Sequence, residues 1–224
     1  MLNMHYIVFM LPAIVLGLIA QIRVQSTFRK YARRAASSGL TGAQAAARLM
    51  QAEGLDDVRI ERARGFLSDH YDPRTNTLRL SESVHDSPSL SAIGVACHEA
   101  GHALQQAHRY APLAMRSALV PVASIGSSLG VWVIIAGLLL RTPSLYNIGI
   151  LLFLAAVLFT LVTLPVEWNA SARAKALMTR AGIVTQAEQP QAAAVLNAAF
   201  LTYVAAAVSS VMTLLYYLGL GRRR

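Results

Sequence analysis

Two histidines and a glutamate lie within the five-residue run HEAGH, as His98, Glu99 and His102. On an α-helix, side chains at positions i and i+4 project from one face about one turn apart. Two imidazoles at this spacing can bind a single tetrahedral zinc ion. Glu99, beside the first histidine, can take the proton of a water molecule that the metal has made acidic. The motif therefore predicts a hydrolytic metal site.

Gly101 stands inside this motif, although glycine within a helix costs up to about 1 kcal/mol relative to alanine. A close approach to another backbone or to a substrate would explain the glycine. Plain helix packing would explain it equally well, so the sequence leaves both explanations open.

The composition indicates that lipid surrounds much of the chain. Of the 224 residues, 55% are hydrophobic and 14% charged, whereas soluble proteins usually have about 25% charged residues. This excludes a disordered or collagen-like chain, and the single cysteine, Cys97, excludes an intrachain disulfide. Four apolar segments can cross a bilayer, which takes about 20 helical residues. They cover approximately residues 6–22, 118–140, 145–166 and 199–220.

The basic residues predict how the chain is oriented. Sixteen lysines and arginines fall in residues 23–117 and 167–198, against four elsewhere. The positive-inside rule places the larger set in the cytoplasm and the N-terminus outside. We interpret the first apolar segment as a retained anchor and not as a cleaved signal peptide. The terminal arginines 222–224 disagree with this bias, and they could snorkel to the interface or be tolerated as a tail. We interpret the net charge of +9 as topology and lipid contact, with no nucleic acid partner.

A third protein ligand is needed to complete a zinc site, and His70, His108 and Glu167 are the candidates. Glu167 follows His102 by 65 residues, but the two intervening apolar segments return the chain to the side that it left. Glu167 is therefore expected at the membrane surface where the HEAGH helix lies. The alternative is a carboxylate that only caps a new helix after Pro165, worth under about 1 kcal/mol. Two histidines and a glutamate leave a fourth position open, as catalytic zinc sites do.

Local patterns predict the elements around the motif. Thr41 is a plausible N-cap for a helix that stops near Gly54. The runs VRIERARG and TLRLS alternate in the manner of strands, separated by a polar turn. A helix from about Leu90 to Arg109 carries the motif, and Ser89 or Ser91 could cap it. Its buried side is expected to consist of Ile93, Ala96, Cys97, Ala100 and Leu104. Another helix, from about Val166 to Ala181, carries Glu167. The last helix is expected over residues 190–218.

Three segments together resemble a known family. VACHEAGHALQQA, GFLSDHYDPRTNTLRLS and LPVEWNASARAKAL are similar to the YugP-type neutral zinc metallopeptidases of bacteria, which are membrane proteins similar in plan to HtpX-type proteases. The resemblance covers nearly the whole chain after the first apolar segment. It implies Glu99 as the catalytic base and three zinc ligands, namely His98, His102 and Glu167.

One position departs from the family pattern. The family has an acid two residues after the ligand glutamate, whereas this chain has Asn169. If that acid orients a ligating histidine, Asn169 can accept the same hydrogen bond without supplying charge. The departure leaves the ligand set unchanged.

The expected fold is mainly α, a polytopic membrane protein with about four transmembrane helices and a small α+β zincin-like cytoplasmic domain. Its parts are the anchor (1–22), the zincin-like part with the HExxH helix (23–117), a transmembrane hairpin (118–166), a cytoplasmic helix with the third ligand (167–198), and a transmembrane helix with a basic tail (199–224). The resemblance implies a zinc endopeptidase in the bacterial cytoplasmic membrane, acting on a protein or peptide at the cytoplasmic surface. An intramembrane-cleaving protease and a non-catalytic metal-binding scaffold are the alternatives.

Other polar residues have weaker assignments. His70 or Tyr71, in the polar turn, could stabilise the oxyanion of a tetrahedral intermediate. Arg173 is expected to face lipid headgroups in preference to pairing with a carboxylate, and His85 and His108 are expected to be solvated. The strand-like runs 58–62 and 77–81 offer a possible edge on which an extended substrate could add.

Overall fold

A computed structural model describes residues 4–65 and 68–221; the predicted basic tail at 222–224 lies outside the described residues. The elements follow in this order: α1 (Met4–Ala32), α2 (Gly42–Ala52), β1 (Arg59–Ala63), β2 (His70–Asp72), β3 (Thr77–Ser81), α3 (Glu82–His85), α4 (Leu90–Ala107), α5 (Ala111–Leu139), α6 (Pro143–Arg180) and α7 (Gln189–Gly221).

The chain forms two compact units. The first, which we call the apolar unit, comprises the described residues of Met1–Ala20, Ala111–Val166 and Thr202–Arg224. The second, which we call the site unit, comprises Gln21–Tyr110 and Glu167–Leu201. The HEAGH motif and Glu167 both belong to the site unit.

Among the described residues, four helices are long and apolar enough to cross a membrane: α1, α5, α6 and α7. Their large apolar side chains are exposed, for example Trp132 at 70% and Leu139 at 77%. In water such a surface would be costly, whereas a bilayer solvates it and requires only that the backbone be hydrogen-bonded internally. The predicted number of membrane segments is confirmed.

The helix that carries Glu167 differs from the prediction. We expected a new helix to begin at Pro165, but α6 runs unbroken through this residue, from Pro143 to Arg180. Proline removes one helical hydrogen bond, yet long apolar helices tolerate it because neighbouring groups satisfy the freed carbonyl. At 1.5 Å per residue α6 is about 57 Å long, well beyond the roughly 30 Å hydrocarbon core. Glu167 is therefore an interior residue of a long helix.

In the apolar unit, glycines bring α5 and α6 together. A Cβ atom on Gly126 would overlap the carbonyl oxygen of Leu152, and one on Gly130 would lie 3.0 Å from the Phe153 nitrogen. Small residues four apart allow two helix backbones to approach closely within a membrane. Ile134, Phe153 and Val157 then fill the adjacent core.

The site unit contains a three-stranded sheet in the order β1-β3-β2. β3 is central, parallel to β1 and antiparallel to β2, and its Leu78 and Leu80 are fully buried. The predicted strands β1 and β3 are confirmed. The prediction that both runs offer a free sheet edge to an extended substrate is wrong for β3. β1 pairs with one side of β3 and β2 with the other. β2 lies where we expected only a polar turn, since three residues are too few to show strand alternation.

Helix α4 packs beside this sheet, where it contacts β2 and β3, and α2 packs against α4. Thr41 caps α2 as predicted, since its hydroxyl accepts from the Gln44 N–H at 3.3 Å and the Gln44 side chain accepts from the Thr41 N–H at 3.0 Å. Ser89 caps α4 by accepting from the Ala92 N–H at 3.2 Å. The predicted inner face of α4 is completely buried, as Ile93, Ala96, Cys97, Ala100 and Leu104. This packing fixes the rotation of α4 and hence the direction of its histidines.

Candidate metal centre

His98 and His102 lie one turn apart on α4, as the motif predicts. Their ring centroids are 4.8 Å apart and the ring planes are inclined by 80°. Both side chains are mostly buried, with 13% and 11% of their surface exposed. The apolar face of α4 anchors the helix in the core, so the two imidazoles project together from one edge of that face.

Glu167 reaches this histidine pair from α6. Its Oε2 atom lies 3.2 Å from His98 Nε2 and 3.6 Å from His102 Nε2, and the residue is 1% exposed. A capping role at a helix N-terminus is wrong, because the residue is in the helix interior. Within the described part of the chain, these three residues form the one cluster of metal-ligand type, and it includes neither His70 nor His108.

The donor set fits zinc in chemistry, and its three ligand atoms lie within 4.8 Å of one another. Bonds of about 2.0–2.1 Å in a tetrahedron place neighbouring ligand atoms about 3.3 Å apart, and the two separations from Glu167 Oε2, 3.2 and 3.6 Å, bracket this value. Two imidazole nitrogens and one carboxylate oxygen are the ligands of a catalytic zinc site, in which a fourth position stays open. The geometry also places a buried carboxylate where a cation would compensate its charge.

The other ring nitrogen of each histidine has its own partner. His98 Nδ1 lies 3.1 Å from the Ser171 hydroxyl, and His102 Nδ1 lies 2.9 Å from Gln105 Oε1. Such partners orient a ligating imidazole and set its tautomer. Sequence reasoning missed both residues. Gln105 follows His102 by three positions and Ser171 follows Glu167 by four, so helical spacing was a usable signal.

Asn169 does not contact a histidine directly. Its Oδ1 accepts from Gln105 Nε2 at 3.1 Å and from Arg173 Nε at 2.8 Å. Asn169 is thus connected to His102 through Gln105, whose Oε1 lies 2.9 Å from His102 Nδ1, and a role toward a ligating histidine stays a prediction. Arg173 binds Asn169 through Nε, and its Nη1 lies 2.6 Å from His108 Nδ1; its contact with lipid headgroups stays a prediction.

Glu99 is held beside the cluster by the sheet. Its Oε2 accepts from the backbone N–H of Tyr71 in β2 at 3.1 Å. Burial raises the pKa of the Glu99 carboxyl, and the neighbouring His98 and His102 partly oppose this rise. A carboxyl with a raised pKa is better matched to proton exchange near neutral pH than an ordinary one.

His70 and Tyr71 occupy the neighbouring strand, but their side chains point to other partners. The Tyr71 hydroxyl donates to Asn76 Oδ1 at 2.7 Å, and His70 Nδ1 lies 2.8 Å from the Ser68 carbonyl oxygen. The transition-state role of either side chain stays a prediction. The contact that sequence reasoning missed is the Tyr71 backbone N–H, which no residue-type pattern reports.

Gly101 is explained by a close helix contact. A Cβ atom at this position would lie 2.6 Å from the carbonyl oxygen of Ala170 in α6, far inside van der Waals distance. Of the two explanations left open by the sequence, the close backbone approach is confirmed. Since Ala170 is one turn from Glu167, the glycine allows the histidine helix and the carboxylate helix to meet.

The cluster of two histidines and a glutamate, together with four long apolar helices, is typical of a membrane zinc peptidase. Comparison with known proteins agrees. The family model described as "Putative neutral zinc metallopeptidase" matches residues 6–222, and the chain belongs to this family. It is 45% identical over 214 residues to "Putative membrane protease YugP" of Bacillus subtilis (strain 168), covering 96% of this chain and 95% of that protein. No solved structure matches the chain significantly. The family resemblance is confirmed, and with the four apolar helices it indicates a multi-pass membrane protein.

Replacing Gly101 by alanine should weaken zinc binding by at least about tenfold, the loss typical when support for a metal ligand is removed. Alanine has the higher helix propensity, so a loss would report the contact with Ala170 and not a weaker α4. Zinc affinity is measured by competition with a chromophoric chelator. The matched control is Gly17→Ala, also within a helix but with no atom within 4 Å of the new Cβ. Equal affinities in both variants would contradict this explanation.

Replacing Glu167 by glutamine should lower zinc affinity by more than about 100-fold, beyond what loss of an outer partner costs. The amide keeps the shape of the side chain but removes the charge that the metal requires. Zinc content per purified chain, determined by atomic emission, gives the answer. Glu82→Gln makes the same change on an exposed residue of α3 and should retain the metal; full zinc content in Glu167→Gln would remove this residue from the ligand set.

Proposed function

We propose that this protein is a membrane-bound zinc endopeptidase that hydrolyses peptide bonds at the cytoplasmic surface of the bacterial cytoplasmic membrane. His98, His102 and Glu167 are the proposed zinc ligands, and Glu99 is the proposed general base. The observation that carries the proposal is the convergence of Glu167 on both Nε2 atoms, at 3.2 and 3.6 Å. Membership in the zinc metallopeptidase family supports the same chemistry.

A zinc ion held by these ligands supplies Lewis acidity, which polarises a carbonyl group and makes water more acidic. Glu99 accepts the proton of the attacking water and then delivers it to the nitrogen of the leaving amine. The Tyr71 N–H holds one carboxylate oxygen of Glu99, so the second oxygen is left to exchange the proton. The backbone of β2 thereby orients the base toward the reacting carbonyl.

The substrate segment is proposed to bind in an extended conformation along β2. This strand is at the edge of the sheet and is the strand whose backbone reaches Glu99. An extended peptide can add to such an edge through main-chain hydrogen bonds, while alternate side chains enter pockets. β1 is the opposite edge, separated from β2 by the central β3, so β2 is the better-placed edge for a scissile bond.

The orientation toward the cytoplasm is proposed from the distribution of charge. Sixteen of the 20 basic residues belong to the segments that contain the motif and Glu167, and such residues remain on the cytoplasmic side. The intramembrane alternative is disfavoured because the HEAGH helix is flanked by the polar runs SESVHDSPS and QQAHRY. The non-catalytic alternative is disfavoured by the intact Glu99.

Glu99→Gln should retain zinc and lose proteolysis by at least about 100-fold, the usual contribution of a general base. An amide cannot accept the proton from water, whereas the three proposed ligands are unchanged. The assay is cleavage of an unfolded protein substrate by detergent-purified enzyme, together with zinc content. Glu82→Gln is the matched control, and a zinc chelator should abolish its activity. A Glu99→Gln variant that cleaves at the wild-type rate would exclude this mechanism.

Cysteine labelling should show that α4 faces the cytoplasm. The chosen positions are Ala107, exposed at the end of α4, and Ser144, exposed near the α5–α6 connection, each introduced singly in a Cys97→Ala background. A membrane-impermeant thiol reagent added to intact cells should label Ser144→Cys, and inverted vesicles should be needed to label Ala107→Cys. The reverse pattern would contradict the orientation, and protection of Ala107→Cys from both sides would favour the intramembrane alternative.

A further inference from the structure

A line of hydrogen-bonded side chains leads from His102 away from the proposed metal position. His102 Nδ1 lies 2.9 Å from Gln105 Oε1, and Gln105 Nε2 lies 3.1 Å from Asn169 Oδ1. Arg173 Nε approaches the same Asn169 oxygen at 2.8 Å. Gln105 is fully buried, whereas Asn169 and Arg173 are partly exposed. We call these four residues the His102 relay.

The direction of every hydrogen bond in the His102 relay follows from its last residue. An arginine side chain has donors and no acceptor, so Asn169 must present its oxygen to Arg173. Because that same oxygen faces Gln105, the glutamine must present its NH2 group there and its own oxygen to His102. His102 Nδ1 must then carry a proton, so Nε2, which faces Glu167 Oε2 at 3.6 Å, is the nitrogen that can bind a metal.

The two histidines differ in whether their hydrogen-bond partner fixes the tautomer of the ring. His98 Nδ1 meets the hydroxyl of Ser171, and a hydroxyl can donate or accept, so this contact is compatible with either tautomer. The His102 relay is compatible only with a proton on Nδ1 of His102. A glutamine turned by 180° would offer a donor to Nδ1 and move the ring proton to Nε2, where it would oppose metal binding.

We propose that Arg173 is a positioning residue of the metal centre, which acts through Asn169 and Gln105 to hold His102 in the Nδ1–H tautomer. This inference rests on the proposed function, in which His102 is a zinc ligand through Nε2. His108, exposed at the C-terminal end of α4, helps to hold Arg173 in place, since its Nδ1 lies 2.6 Å from Arg173 Nη1. A residue with no role assigned by the motif thus prepares a ligand three hydrogen bonds away.

The His102 relay also accounts for the asparagine at a position where the family pattern has an acid. Only an acceptor is required at residue 169, because both of its neighbours, Gln105 Nε2 and Arg173 Nε, are donors. An amide oxygen and a carboxylate oxygen satisfy this requirement equally. Hydrogen-bond polarity, more than charge, is what this position contributes.

The test compares variants that break the polarity with variants that keep it. Arg173→Met removes the donor but retains most of the aliphatic stem, whereas Arg173→Lys keeps a side chain that only donates. Asn169→Leu and Asn169→Asp form a second such pair, which keeps the test decisive if an Arg173 variant fails to fold. Arg180→Met makes the same change on an exposed arginine of α6 and serves as the matched control.

Two measurements are made on each full-length protein in detergent. The first is zinc affinity, which should fall by about 10- to 100-fold in Arg173→Met and Asn169→Leu and stay unchanged in Arg173→Lys, Asn169→Asp and Arg180→Met. The second is the ¹⁵N NMR spectrum of the histidine rings in metal-free protein. His102 Nδ1 should carry a proton in wild type and in the polarity-keeping variants, and should lose that proton in a fraction of the molecules of the other two.

Wild-type affinity together with an unchanged proton on His102 Nδ1 in Arg173→Met and Asn169→Leu would overturn the inference. A loss of affinity in Arg173→Lys equal to that in Arg173→Met would also overturn it, because a donor would then not suffice. The NMR measurement needs no metal, so it separates this inference from the proposed function. If Glu167→Gln kept its zinc while Arg173→Met lost the proton on His102 Nδ1, the ligand set would fail and the His102 relay would stand.

Discussion

The arrangement of the site depends on a buried carboxylate placed against two imidazoles. Glu167 is 1% exposed and lies 3.2 Å from His98 Nε2, in surroundings where an uncompensated charge would be strongly destabilising. This placement is possible only because α4 and α6 approach closely at Gly101 and Ala170. The helix contact and the ligand geometry are therefore one constraint, since any side chain at Gly101 would separate the carboxylate from the histidines.

Around this contact, helical spacing organises the supporting residues. On α4, Gln105 follows His102 by three positions, and on α6, Ser171 follows Glu167 and Arg173 follows Asn169 by four. Residues at these intervals share a helix face, so docking two helices brings both sets together. Glu99 is the exception, because its partner is the Tyr71 backbone in β2. The small sheet thus orients the proposed base while the two helices orient the proposed ligands.

Much of this could be predicted from the chain alone. The HEAGH spacing, the four apolar segments, the cap at Thr41, and the strands β1 and β3 are local patterns, expressed within a few residues of one another. The approach of Glu167 also follows from a simple count of membrane crossings. The helix break at Pro165 was predicted wrongly, because a proline ends a short helix in water more readily than it ends a long apolar one. β2 was missed because its three residues form a strand only by pairing with β3.

The sequence by itself thus determined which residues could bind a metal and which segments lipid must surround, because residue type and hydropathy are properties of the chain. Tertiary structure decided which nitrogen of each histidine faces Glu167, why Gly101 is needed, and which side chains Asn169 contacts. Gln105 and Asn169 are 64 positions apart, and no local pattern relates them. The direction of the hydrogen bond between Gln105 and Asn169 is set only when α4 and α6 pack together. Arg173, which cannot accept a hydrogen bond, then donates to the oxygen of Asn169.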